Sequence, residues 1–270
     1  MKKKLKYQLG GLELKLQSYI QLKEKDIIES GDMVDVLGIT QQRENTLLSK
    51  LAKKGILIRL TKGVYLTSMR LPSGAYSTLS DYKILSEFMQ YIDSKYLISG
   101  QTAIYYYGFT TQIPNRIYVY NSKISGDKII GGSFFVFMKT STKRLKGAEF
   151  IVTNKGLKIP YASKARLLID CIYDWNRYNT IPKVFNWIKN EIEKDPDITA
   201  KLASNAIRYG NKSVIARLGY CLELSNAERN SINRLQKKIA GSLSIIPLIP
   251  NTDLKGSVNK KWGLIINGKI

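Results

Sequence analysis

The chain has no histidine. That absence removes imidazole acid–base catalysis, Ser-His-Asp and Cys-His nucleophile systems, and His-ligated zinc. Cysteine is nearly as scarce. Cys171 and Cys221 lie far apart and form no CxxC pair, so neither a metal site nor a disulfide framework is expected. Both sit in apolar helical context, where a free thiol behaves as a small core hydrophobe. Acidic residues are few, with Asp+Glu 21 against Lys+Arg 43. No apolar run approaches the ~18 residues that a membrane span needs. The start, "MKKKLKYQLGGLEL", has a basic head with no apolar stretch behind it. A cytoplasmic, reduced chain with no membrane partner is the expectation.

Catalytic signatures are also missing. There is no Walker loop, dinucleotide GxGxxG or HExxH. "GGS" at Gly131–Ser133 has the Gly-Ser that opens the site of polymerase-β-type nucleotidyltransferases. The stretch after it, "FFVFMKTSTKRLKG", holds no carboxylate to ligate metal ions. Asp170 and Asp174 share a helix face but have no third ligand in view, so they read as solvated or salt-bridged. No enzymatic activity, catalytic residue, metal or cofactor is expected.

What the chain does have is length and charge. Its 270 residues and 30.6 kDa suffice for one large or two modest domains, and 44% hydrophobic residues is ordinary for a folded protein. The net charge of +22 and pI near 9.8 favour polyanion partners. A solubilising surface, or a lysine-favouring AT-rich genome, would give the same totals.

The N-terminal third carries the densest local pattern. "LELKLQSYIQLK" (residues 12–23) spaces Leu12, Leu16, Tyr19 and Ile20 as an amphipathic helix does. Ile27 and Ile28 form a short apolar pair before a break. "GDMVDVLG" follows as a helix of roughly two turns, with Ser30 as N-cap and Gly38 as its stop. Thr40 caps a third helix running to about Lys54, and Gly55 terminates it. At about 100° per residue, Leu47, Leu48, Leu51 and Ala52 fall on one side. Gln42, Thr46, Ser49, Lys50 and Lys53 fall opposite, flanked by Arg43 and Asn45. Such side chains hydrogen-bond to base edges or pair with phosphate, and a solvated helix face has the same composition. "ILIRLTKGVYL" then reads as two strands around Thr61, Lys62 and Gly63, with Arg59, Lys62, Lys53 and Lys54 placing positive charge near the tip. Helix, turn, polar-faced helix and basic hairpin is the winged helix-turn-helix order, in which the third helix enters the major groove and the wing meets backbone. The same order also serves as a protein-interaction module.

"MRLPSGAYSTL" (residues 69–79) carries Pro, Gly and Ser and is the best boundary in the chain. It divides a DNA-binding domain at 1–72 from a larger domain at 73–270. Beyond it, "SDYKILSEFMQYI" is a helix capped by Ser80. Ser99 and Gly100 open another through Tyr107, closed by Gly108. "RIYVYN", "SFFVFMK", "GAEFIVTN" and "GLKIPYAS" read as strands. "SKARLLIDCIYDW" begins a helix capped by Ser163. "IPKVFNWIKNEI", "DITAKLASNAIRYG" and "NKSVIARLGYCLELSN" continue as helices. Strands followed by a run of helices indicate α+β. The fold class expected is therefore α+β, an N-terminal winged helix-turn-helix followed by a larger mixed domain. Tyr105, Tyr106 and Tyr107 cannot all face a core, so at least one is exposed. A stacking platform for bases is one reading; amphipathic packing with a wet hydroxyl edge is the preferred one.

Three regions together resemble the AbiEi antitoxins of bacterial abortive-infection systems: "LLSKLAKKGILIRLTKGVYL", "YLISGQTAIYYYGFTTQIPNRIYVYN", and "NKSVIARLGYCLEL" with the tail "SLSIIPLIPNTDLKGSVNKKWGLIIN". The resemblance spans most of the chain. The chain departs from many members in inserting "QQREN" before the matching "LLSKL". The resemblance implies a winged helix that binds promoter inverted repeats and represses its own operon. It also implies a larger domain required for antitoxin activity of type IV, against an AbiEii-type nucleotidyltransferase toxin. The partners implied are double-stranded operator DNA and that toxin. The DNA-contacting positions are Gln42, Arg43, Asn45, Thr46, Ser49, Lys50, Lys53, Lys54, Arg59, Thr61 and Lys62. A stand-alone winged-helix regulator and an RNA-binding protein are the alternatives.

Overall fold

The structure is a computed structural model and describes residues 9–68, 79–154, 156–241 and 244–270. Residues 69–78, which hold the expected linker and the 72/73 boundary, lie outside the described residues. The chain forms two compact units. One comprises residues 1–94 with 127–135, and the other residues 95–126 with 136–270.

In the first unit, helix α1 (Gly11–Lys23) buries Leu16 and Ile20. Glu13 starts it by accepting a 3.0 Å hydrogen bond from the Gly10 N–H. Strand β1 (Ile27–Glu29) comes next. It contains the apolar pair to which the sequence pattern assigns no element, and Ile28 is fully buried in it. Helix α2 (Val34–Leu37) is one turn long and ends on Gly38 at φ 62°. Ser30 does not cap it. Its N-cap position is Met33, which makes no side-chain cap bond. Glu44 from the next helix serves instead, accepting from the N–H groups of Gly31 at 2.7 Å and Met33 at 2.8 Å. Helix α3 (Gln41–Lys53) is capped by Thr40, whose Oγ1 accepts from the Arg43 N–H at 3.3 Å. Strands β2 (Ile58–Thr61) and β3 (Val64–Leu66) form a hairpin whose turn places Gly63 at φ 76°, a conformation that glycine adopts without a Cβ clash. The three strands make one antiparallel sheet in the order β1-β3-β2. Leu16, Ile20, Ile28, Met33, Leu48 and Leu51 are among the residues of its core. Helix α4 (Asp81–Tyr91), capped by Ser80, belongs to the same unit.

Along the rest of the chain come β4 (Tyr96–Ile98), α5 (Gly100–Tyr106), β5 (Ile117–Asn121), β6 (Gly126–Ile130), β7 (Ser133–Lys139), β8 (Ala148–Val152) and β9 (Lys158–Ala162). In the second unit β5, β4, β9 and β8 are neighbours in that order. Strand β4 runs antiparallel to β5 and parallel to β9, and β8 is an edge. The sequence pattern does not mark β4 or β6. Four of five β6 residues are exposed, so no alternating apolar face distinguishes it.

A helical run follows: α6 (Lys164–Tyr173), α7 (Trp175–Tyr178), α8 (Lys183–Lys194), α9 (Ile198–Tyr209), α10 (Lys212–Leu224) and α11 (Arg229–Ile239). Ser163 caps α6, as expected, by accepting from the Arg166 N–H. The chain ends in a small sheet of β10 (Ile246–Pro247), β11 (Ser257–Asn259) and β12 (Leu264–Ile266), in the order β10-β12-β11. Trp262 is fully buried here, and its indole N–H donates to Glu223 at 2.7 Å. The fold is mixed α+β.

A charged lock sits inside the second unit. Asp170 is fully buried and accepts from Arg144 at 2.6 Å and Arg166 at 3.0 Å. Burial pushes its carboxyl above the ordinary range, against the pull of Arg166 and Arg144. Arg144 lies over the Tyr173 ring at 3.6 Å and Arg166 over Tyr209 at 4.0 Å. Tyr120 donates to Asp174, and Tyr178 to Tyr120 at 3.1 Å; burial drives both phenols well above their usual range. Of the two aspartates that the sequence singles out, Asp170 is salt-bridged rather than solvated.

Candidate functional site

The exposed face of α3 is built by helical spacing. Gln42, Asn45, Thr46, Ser49, Lys50 and Lys53 lie one above another, because residues three and four apart share a face. Together with Gln41 they line an open groove of about 790 Å³. The opposite face is anchored by Leu47, Leu48 and Leu51, all buried. Burial of that stripe sets the rotation of α3 and so decides which side chains the groove presents.

Most expected site residues meet on this face. Gln42, Asn45, Thr46, Lys50 and Lys53 are exposed, and Ser49 is half-buried. Arg43 is exposed beside the groove but does not line it. The Thr46 hydroxyl donates to the Gln42 carbonyl at 2.9 Å. On the hairpin, Arg59, Thr61 and Lys62 are exposed, and Arg59 Nε donates to the Thr61 carbonyl at 3.3 Å. Arg43, Lys53 and Lys62 form no ion pair among the described residues.

Lys54 is placed differently. It is half-buried and turned to α1, where its ammonium lies 3.0 Å from Glu13. Lys50 reaches the same carboxylate at 3.1 Å. Burial alone would raise the Glu13 pKa. The hydrogen bonds from Lys54, the Gly10 N–H and Lys50 outweigh it and hold the group at about 2.

Sequence pattern alone passes over two residues of this site and gives a third another role. Gln41 lines the groove, and its amide donates to Glu44 at 3.0 Å and to Ser30 at 2.8 Å. Glu44, fully buried, ties α3 to the turn before α2. Ser30 is a node rather than a cap. Its hydroxyl donates to Asn45 Oδ1, and its backbone N–H donates to the Gly63 carbonyl at 2.7 Å. A Glu in the first turn of a helix, followed by apolar positions, gives no sign that it faces inward.

Elsewhere, Tyr105 and Tyr106 are exposed, and Tyr107 donates to the Ala162 carbonyl at 2.9 Å. Tyr106 packs against Tyr107 and Tyr161, with ring centroids 5.0 Å away in each case. Among the described residues no group of three or more His, Cys, Asp or Glu is placed to hold a metal ion. No helix among them is long and apolar enough to cross a membrane.

No protein-family model and no curated protein matches the chain. Among solved structures it is similar to the crystal structure of the RV2827C protein from Mycobacterium tuberculosis. The two are 14% identical, the match covers 95% of this chain and 92% of that chain, and the TM-score is 0.56. At that identity the likeness concerns the fold alone, a mixed α+β architecture.

Proposed function

We propose that the first unit is a winged helix-turn-helix that binds double-stranded DNA, with α3 as the reading helix and the β2–β3 hairpin as the wing. One observation carries this reading. A groove of amides, hydroxyls and lysines on α3 is joined through Ser30 to the tip of a hairpin that bears Arg59 and Lys62. The element order α1, β1, α2, α3, β2, β3 and the net charge of +22 support it.

We further propose that the chain is a cytoplasmic, non-enzymatic antitoxin and autorepressor. It binds inverted repeats in its own promoter and counteracts a nucleotidyltransferase toxin encoded beside it. This part rests on the sequence resemblance to the AbiEi antitoxins, in the middle and C-terminal motifs above all.

The test is binding of the purified chain to its own upstream DNA and to a shuffled duplex, across a salt series. Preference for the native repeats is expected. Equal, steeply salt-dependent binding to both would leave only non-specific charge attraction. Co-expression with the adjacent toxin gene tests the second part. Unchanged toxicity would defeat it.

A further inference from the structure

The groove on α3 changes character along its length. With α3 as a DNA-reading helix, the role proposed for it and the premise of this inference, that change decides which bases the groove suits. The N-terminal part presents the amides of Gln42 and Asn45, and the C-terminal part presents Lys50 and Lys53. These groups do different work on a duplex. A carboxamide matches the N6 donor and N7 acceptor of adenine with two parallel hydrogen bonds, whereas the two acceptors of guanine suit Arg or Lys. Lys50 is drawn toward Glu13, and Arg43 does not line the groove. The amide end is therefore better matched to adenine than to guanine.

An amide reads a base only when its plane is held. Asn45 is held: its Oδ1 accepts the Ser30 hydroxyl. A carbonyl oxygen has two lone pairs, so one acceptor site remains on Oδ1. Among the described residues nothing engages Asn45 Nδ2. One acceptor and one donor side by side complement the major-groove edge of adenine. Ser30 is fixed in turn by the Gly63 carbonyl at 2.7 Å and by the Gln41 amide at 2.8 Å. A single serine thus couples the hairpin tip to the helix face.

We propose that Asn45, oriented by Ser30, reads an adenine in the major groove. The ligand is then a duplex with A·T pairs at the contacted positions, and Ser30 is a positioning residue for that contact.

The experiment uses the full chain and duplexes randomised over about two helical turns. Each adenine of the selected duplex is then replaced by 7-deazaadenine, which deletes N7 and leaves base pairing intact. At one position per half-site the replacement should weaken wild-type binding by roughly 5- to 50-fold. The same replacement should leave binding by Asn45→Ala unchanged. Ser30→Ala should lose a similar factor of preference for the selected over the shuffled duplex, while its affinity for shuffled DNA and its salt slope hold. Both side chains are exposed, so the variants keep the core, and thermal melts check this. Sensitivity to 7-deazaguanine alone, or retained 7-deazaadenine sensitivity in Asn45→Ala, would overturn adenine reading by Asn45 and leave duplex binding standing. Unchanged preference in Ser30→Ala would overturn the positioning role. Failure to bind any duplex would overturn the DNA-binding reading itself.

Discussion

Glu44, in the first turn of α3, accepts a 2.8 Å hydrogen bond from the backbone N–H of Met33, immediately before α2. A one-turn helix cannot stabilise itself, because nucleation costs more than its few hydrogen bonds return. α2 therefore depends on a neighbour. Glu44→Ala should destabilise the chain by about 2–3 kcal/mol, since two N–H groups lose a buried acceptor. Glu44→Gln, which keeps an acceptor oxygen, should cost less. Urea melts of both variants check the order, and equal costs would contradict it.

The Glu13 carboxylate ties α1 to α3 through Lys54 and Lys50. Its folded pKa, about 2, lies below its ordinary value of 4.5. A depressed carboxylate contributes stability that is fully present above about pH 4.5 and is lost as pH falls toward 2. Lys50 is largely exposed, so solvent screening limits the contribution to about 1–2 kcal/mol. Glu13→Gln should lower stability at pH 7 and flatten the acid limb of a stability–pH curve. An unchanged acid limb would show that the pair contributes nothing.

Lys62 and Lys54 should behave oppositely on DNA. Lys62 sits exposed at the hairpin turn, so Lys62→Ala should weaken native and shuffled duplexes alike and reduce the salt slope by about one unit. Lys54 is turned to Glu13, so Lys54→Ala should leave the slope unchanged and lower the melting temperature instead. Filter binding across a salt series, paired with thermal melts, separates the two.

Asp170→Asn removes the carboxylate shared by Arg144 and Arg166, and Arg166 is fully buried. Leaving a buried guanidinium without its counter-charge should cost about 3–5 kcal/mol. Denaturant unfolding should show the second unit failing first, with far smaller losses for Asp174→Asn. Asp174 is partly exposed and 4.0 Å from Arg144.

Gly219, inside α10, lies against Trp262. A Cβ there would come within 2.2 Å of the indole ring. Gly219→Ala, which favours a helix by propensity, should here destabilise by about 1–3 kcal/mol through overpacking. A near-UV circular dichroism change at the tryptophan would accompany it.

Much of this architecture is written in local pattern. The Thr40, Ser80 and Ser163 caps, the Gly63 turn and the Leu47-Leu48-Leu51 stripe are short-range choices, because each depends on residues within a turn or two. Composition and periodicity therefore determined the α+β class, the rotation of α3 and the side chains that its groove could display. The tertiary structure decided the rest. Ser30, which by sequence sits where a cap would, became the link between Asn45 and Gly63 because strand pairing brings the hairpin tip to it. Lys54, one residue beyond Lys53, left the groove because Glu13 of α1 lies within reach. Asp170 found its arginines on another segment and on its own helix. Periodicity ranks the faces of one helix. Which partner outside its own helix a polar side chain on those faces takes is a Coulomb and hydrogen-bond choice made only once distant segments are brought together.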